Sequence, residues 1–323
     1  MNATMLEIHR PEGARLIDRD ARFEKLASGF RFVEGPVWCP ADSALIFSDI
    51  IGDRMYRWSA AKGIEVFREP SRMANGNAYD HAGRLVTCEH AASRVTRAEA
   101  DGTLRVLADR YRGRELNSPN DVVVKRDGAI YFTDPPSGRG PIYGVERPQE
   151  LDFQGVFRLD PETGELTLLA SDFTFPNGLC FSADESRLFV NDSREQVIRE
   201  FPVRADGTLG PGRLFAALAP CGEGVADGMK FDRQGHLYCC GPGGIQVFGN
   251  DGRRLALIRT PEKAANFTWG DPDLLTLYVT ASTSLYRLRV RIPGLSPLPP
   301  HPPAQGGGAA PAERTAFLEK EGT

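Results

Sequence analysis

The chain has 323 residues, 41% of them hydrophobic, and a formal net charge of −4, enough for one large domain or two small ones with a sizeable core. Its charges are interspersed, which excludes the basic stripe of a nucleic-acid binder and the polybasic patch of a protein held on an anionic membrane surface. No apolar run approaches the ~20 residues of a bilayer span, so small molecules are the expected partners, with a monomer or homodimer as the expected assembly.

Residues 1–22 read as an N-terminal extension. They lack the short apolar core of a secretory signal, so a cytoplasmic protein is expected, or a periplasmic one if a signal has been removed. The run ARFEKLASG then reads as a strand, and after it a motif recurs. Its copies are EGPVWCPADSALIFSD from Glu34, NGNAYDHAGRLVTCEH from Asn75, NDVVVKRDGAIYFTDP from Asn120, NGLCFSADESRLFVND from Asn177, DGMKFDRQGHLYCCGP from Asp227 and NFTWGDPDLLTLYVTA from Asn266. Each places an oxygen-bearing residue before a short apolar strand, then a turn rich in Asp, Gly, Ala or Ser, then a second strand, which is a hairpin signature. The anchors are spaced by 41, 45, 57, 50 and 39 residues, and every interval holds further strand-like runs such as RMYRWS, GIEVFR, SRVTRAE, GVFRLD, VIREFPV and GIQVFG. Four strands per unit of about 45 residues is the arithmetic of a propeller blade.

An all-β, six-bladed β-propeller over residues 23–291 is therefore expected, closed by the ARFEKLASG strand joining the last blade. The long interval carries PSGRGPIYGVERPQELDFQ, a Pro/Gly-rich insertion expected to lie over one face as a lid. Residues 292–323, rich in Pro, Gly and Ala, have no strand or helix period and read as a tail outside the fold. The six cysteines (Cys39, Cys88, Cys180, Cys221, Cys239, Cys240) have no CxxC spacing and are expected as free core thiols; Trp38, Trp58 and Trp269 are expected to pack within sheets.

In a propeller the innermost strand of each blade lines the central channel, so one repeat position recurs around the axis. Here it holds Glu34, Asn75, Asn120, Asn177, Asp227 and Asn266, all with a side-chain oxygen and none cationic. Convergent carboxylate and amide oxygens suit a hard divalent cation, calcium before magnesium or zinc. Asn and Asp are also turn formers; Glu34 is not, which makes it the most informative anchor. A second circle at the strand ends comprises Asp49, Glu89, His90, Asp134 and Asp192. Asp49 and Asp192 are expected to cap turns, whereas Glu89, His90, Asp134 and the lid residue Tyr143 join Asn75 and Asn120 as candidate substrate contacts. No GxSxG elbow, phosphate loop or HExxH helix competes.

The ordered motifs EGPVW, NSPNDVVV, FPNGLCFS and VADGMKFD, within residues 25–291, resemble the gluconolactonase, regucalcin and luciferin-regenerating enzyme family of six-bladed calcium-dependent propellers. The resemblance implies metal ligation by Glu34, Asn177 and Asp227, with Asn120 contacting substrate or completing the shell, and hydrolysis of sugar lactones. At such a site the cation would polarise the lactone carbonyl, and Asp227, the catalytic candidate, is expected to act as general base or to orient the attacking water. Regucalcin-type members carry an arginine two residues before the Asn120 position, where this chain has Ser118. The alternatives are a phosphotriesterase or arylesterase on the same scaffold, or a propeller that binds ligand without catalysis.

Overall fold

The computed structural model describes residues 5–296 and consists almost wholly of antiparallel strands, with two short 3-10 turns at Pro11–Arg15 and Ser137–Arg139. Six sheets, five of four strands and one of five, follow one another as the blades of a propeller. Their innermost strands are Val33–Cys39, Ala74–Tyr79, Val122–Val124, Pro176–Phe181, Met229–Phe231 and Ala264–Gly270, and each blade continues outward in chain order.

Burial follows from this radial stacking. Each blade is covered on both faces by its neighbours, so inner and second strands such as Val33–Cys39, Ala44–Asp49, Leu237–Gly241 and Thr276–Ala281 are buried at every position. Outer strands such as Gly63–Arg68 and Leu104–Ala108 are only partly covered. Aromatic rings fill the wedges between blades. Trp38 of the first blade stacks on Tyr278 of the sixth at 5.4 Å, Tyr131 meets Phe181 edge-on at 4.9 Å, and Tyr238 meets Trp269 at 5.1 Å; such pairs add ~1 kcal/mol each beyond their burial. Trp38, Trp58 and Trp269 are accordingly core residues. None of the six cysteines is in a disulfide, and five of them are buried.

The ring closes as expected. Glu24–Ser28 pairs antiparallel with Ser284–Arg289 as the outermost strand of the sixth blade, flanked by the ion pairs Lys25–Glu262 and Glu24–Arg287 at 3.3 and 2.8 Å. This ties the first described strands to the last and removes the two edges an open ring would expose. Two contacts went unforeseen. Leu6–Ile8 adds a fifth strand to the fifth blade, and at the other terminus Arg233 donates its backbone N–H to the Pro293 carbonyl while Gly294 bridges to Asp232. The rest of the tail read from the sequence, from residue 297 on, lies outside the described residues.

Candidate functional site

The anchors gain their aim from a backbone irregularity. In the first, second and fourth blades the pairing of the inner two strands slips at the anchor: between Glu34 and Val37, between Ala74 and Asn77, and between Pro176 and Leu179. A bulge of this kind turns one side chain off the sheet face, here Glu34, Asn75 and Asn177, into the channel. The next residue is then forced by packing. A Cβ on Gly35 would strike the Asn75 carbonyl, one on Gly76 would lie 2.5 Å from the Asn120 carbonyl, one on Gly178 would strike the Asp227 carbonyl, and one on Gly228 would strike the Asn266 side chain. In these four blades, glycine after the anchor lets the inner strand close on the anchor of the next blade.

Polar residues of the second strands lock that contact. Ser48 Oγ donates to the Asn75 carbonyl at 2.8 Å, Thr133 Oγ1 to the Asn177 carbonyl at 2.7 Å and Asn191 Nδ2 to the Asp227 carbonyl at 2.5 Å. Asn191 and Asn266, whose sequons match glycosylation acceptors, are both buried.

The third blade breaks the glycine rule with Asp121. Its carboxylate is buried and raised by desolvation, with Lys230 nearby opposing the shift. Glu34 is pushed up to about 7, first by burial, against a 2.7 Å hydrogen bond from the Gly35 N–H, and further by the charge of Asp121. Asp227 is raised well above its ordinary value by burial and then by the Glu34 charge, while the Asn177 amide favours its anion. Glu34, Asn177, Asp227 and Asp121 therefore share one desolvated region. Asp121 was overlooked in the sequence because it was read as part of the anchor motif; its replacement of a recurrent glycine was the available signal.

The amides divide into two kinds. Asn177 Nδ2 donates to Ser193 Oγ at 3.0 Å, and Asn75 Nδ2 donates to His90 Nε2 at 3.1 Å. Among the described residues nothing donates to the side-chain oxygens of Asn75, Asn120 or Asn177, which leaves those acceptors for a ligand. Asn266 differs: its Oδ1 accepts from Lys230 Nζ at 3.0 Å and from the Phe267 N–H at 2.9 Å. The expectation that all six anchors offer an oxygen to the centre fails at Asn266, because an ammonium claims that oxygen.

The second circle supports the site. Asp49 accepts the backbone N–H groups of Arg31, Phe32 and Gly52, and Asp192 those of Thr174, Phe175, Arg194 and Glu195, as expected for caps. Asp134, read as a substrate contact, has the same task. Its two oxygens take the N–H groups of Asn117 and Ser118, each at 2.8 Å, and burial pushes its carboxyl up to about 7. Glu89 is likewise spent, its fully buried carboxylate paired with Arg94 at 2.6 Å and Arg68 at 3.1 Å and bonded by Thr96. Neither carboxylate faces a ligand. His90 is a strut: Nδ1 must donate to the Tyr143 carbonyl at 2.9 Å, so Nε2 is the acceptor for Asn75, and burial lowers the ring to about 4. A neutral imidazole thus links the lid to an anchor amide.

The insertion lies over the anchor end of the channel. Tyr143 packs edge-on against Phe32 at 5.1 Å, and its phenol, raised by burial, feels the charges of Asp227 and Glu34. Arg139 staples the base of the lid, its buried guanidinium binding the carbonyls of Leu116, Asn117 and Pro148 and the Glu115 carboxylate. Ser118 is fastened there too, donating to the Pro135 carbonyl and accepting from the Gly138 N–H. Beyond the anchors the channel widens into a cavity of about 420 Å³ toward the opposite end, with Asp121 and Lys230 among its walls.

The donor set fits a hard cation. Buried carboxylates raised by desolvation lack enough positive charge, and the side-chain oxygens of Asn75, Asn120 and Asn177 accept from no donor among the described residues; an oxygen-liganded divalent ion would answer both. Carboxylate and amide oxygens beneath the lid of a six-bladed propeller make this end of the channel the candidate small-molecule site.

The chain belongs to the SMP-30/Gluconolactonase/LRE-like family, whose profile matches residues 32–283. It is 31% identical over 299 residues to a gluconolactonase of Zymomonas mobilis, covering 85% of this chain and 83% of that protein, and 28% identical over 260 residues to a pentonolactonase of Haloferax volcanii, covering 78% and 82%. A solved structure described as a gluconolactonase of Xanthomonas campestris superposes with a TM-score of 0.82 at 38% identity, covering 88% of this chain and 94% of that one. Among the described residues no helix is long and apolar enough to cross a membrane.

Proposed function

We propose that the protein is a divalent-cation-dependent lactonase that opens sugar lactones of the aldonolactone type, with calcium the expected ion. Glu34, Asn177 and Asp227 would hold the ion, and Asn120 would complete its shell or meet the substrate. The observation that carries the reading is the shared burial of Glu34, Asp121 and Asp227 beside the free oxygens of Asn75, Asn120 and Asn177, beneath the lid. Lactonase names among the relatives, with coverage above three-quarters of each chain, support the substrate class.

A cation bound there supplies positive charge where the lactone carbonyl oxygen becomes an oxyanion. The chain's own groups do the rest. Asp227, which the bound cation would favour as the anion, receives the proton of the attacking water as the water oxygen adds to the carbonyl carbon. The ring C–O bond then breaks and the ring oxygen leaves as an alcohol with the proton that Asp227 took from the water, which restores the carboxylate and gives a hydroxy acid. Tyr143 and Phe32 wall the mouth and exclude water. Ser118, tied to the lid, offers no cationic grip; the charge of Lys263 favours the Asp227 anion.

The test is acid release from a panel of lactones by chelator-treated protein, with calcium, magnesium or zinc restored in turn. Ion-restored turnover of aldonolactones is expected. Turnover of organophosphates or aryl esters instead would favour the phosphotriesterase or arylesterase alternative, and no turnover with any substrate would leave a ligand-binding propeller.

A further inference from the structure

Lys230 has no counterpart in the ligand scheme. It lies on the short inner strand Met229–Phe231 of the fifth blade, three residues beyond Asp227, between two buried apolar neighbours. In a sheet the alternation of side chains sends the middle residue of such a strand away from the face its neighbours occupy. Here it enters the channel, where Nζ donates to Asn266 Oδ1 at 3.0 Å and lies 5.5 Å from the centroid of the Phe267 ring. Its charge favours the anions of both Glu34 and Asp121, and the Asn266 amide it holds is close enough to favour the Glu34 anion as well. Lys230 and Asp121 both wall the cavity on the far side of the anchors.

Resting on the cation reading of the site, we propose that Lys230 is a resident cation of the channel that competes with an added divalent ion for the same carboxylates and so sets the site's affinity. Lys230 shares the cavity wall with Asp121, whereas the free amide oxygens belong to the same ring as Glu34 and Asp227. Without the divalent ion, Lys230 is the charge that offsets Glu34 and Asp121, while Lys263 offsets Asp227. With the ion present, its field opposes binding. Lys230 also fixes the orientation of Asn266: an amide whose oxygen is held by an ammonium must turn its N–H groups the other way, which removes Asn266 from the ligand set.

Lys230→Met keeps the aliphatic stem and deletes the charge. Calcium titrated calorimetrically into chelator-treated protein should bind this variant about ten-fold or more tighter than wild type, and the metal-free variant should melt below the metal-free wild type. Lys230→Arg, which keeps the charge, should stay near wild type in both measurements. Equal or weaker calcium binding by Lys230→Met while the wild type binds normally would overturn the proposal. A wild-type protein that takes up no calcium, or a Glu34→Gln variant that binds as wild type does, would instead overturn the cation reading beneath it. If Lys230→Met and Lys230→Gln fold only when calcium is supplied, the resident-cation role stands; if neither folds even then, it falls.

Discussion

Glu34 offers a sign reversal that separates a ligand from a structural acid. Its carboxyl is raised from 4.5 to about 7 in the fold, so the stability it contributes is complete below the unfolded value near 4.5 and is lost as pH rises through about 7. At pH 8 and without a cation, holding Glu34 ionised costs on the order of 3 kcal/mol at 1.36 kcal/mol per unit. Glu34→Gln deletes that cost and keeps an acceptor for the Gly35 N–H. It returns ~1 kcal/mol, because the Asn266 amide now faces a neutral partner. The net expectation at pH 8 in chelator is a variant ~2 kcal/mol more stable than wild type. At pH 5, where the folded wild type already carries most of the proton, the difference should be near zero.

Urea denaturation at both pH values, read as the midpoint at constant slope, measures this directly. Calcium should invert the order at pH 8, raising the wild-type midpoint and leaving Glu34→Gln almost unmoved, with lactone hydrolysis lost in the variant. A Glu34→Gln protein no more stable than wild type at pH 8 in chelator would show that the carboxylate is already compensated inside the fold. The argument for an added cation would then fail.

Asp227→Asn should fold with unchanged secondary structure and lose ~10²- to 10⁴-fold in kcat on an aldonolactone; turnover within a few-fold of wild type would remove Asp227 from the base role. Asp134→Ala strands the buried N–H groups of Asn117 and Ser118 and should cost ~2–4 kcal/mol in denaturation, with KM raised because the Asn120 loop loosens; an unchanged midpoint would contradict the capping role. Because His90 is lowered to about 4 and both ring nitrogens are engaged, pH–rate profiles of wild type and His90→Gln between pH 5 and 9 should show the same inflections. An inflection near 6.5 that vanishes in the variant would restore His90 as a proton carrier.

The blade count, the closing strand and the anchor ring were legible because a propeller repeats one unit about an axis, and six aligned copies carry information that no single turn does. What the alignment also held, and went unread, was its use as a control. Asp134 stands in the same repeat position as Asp49 and Asp192 and shares their task of gripping the backbone that enters the anchor strand. Glu89 occupies that position in the second blade and is neutralised by arginines. The repeat assigns all four to support. Asp121 is the converse case, significant because its column is otherwise glycine in four of six blades.

Height along the axis was the quantity no repeat column could supply. Residues three apart on an inner strand share the channel but not the level, so Lys230 looks in the sequence like an ordinary polar residue between Met229 and Phe231. In the fold it stands beneath the acid cluster and takes the Asn266 oxygen that the anchor pattern had given to the centre. The channel thereby runs from the lid past one ring of amide and carboxylate oxygens to a cavity that Asp121 and Lys230 help to line. A divalent ion arriving from the lidded side meets that ring first and the repelling ammonium behind it. That order confines the strongest field for a lactone carbonyl to the end of the channel that Tyr143 and Phe32 enclose.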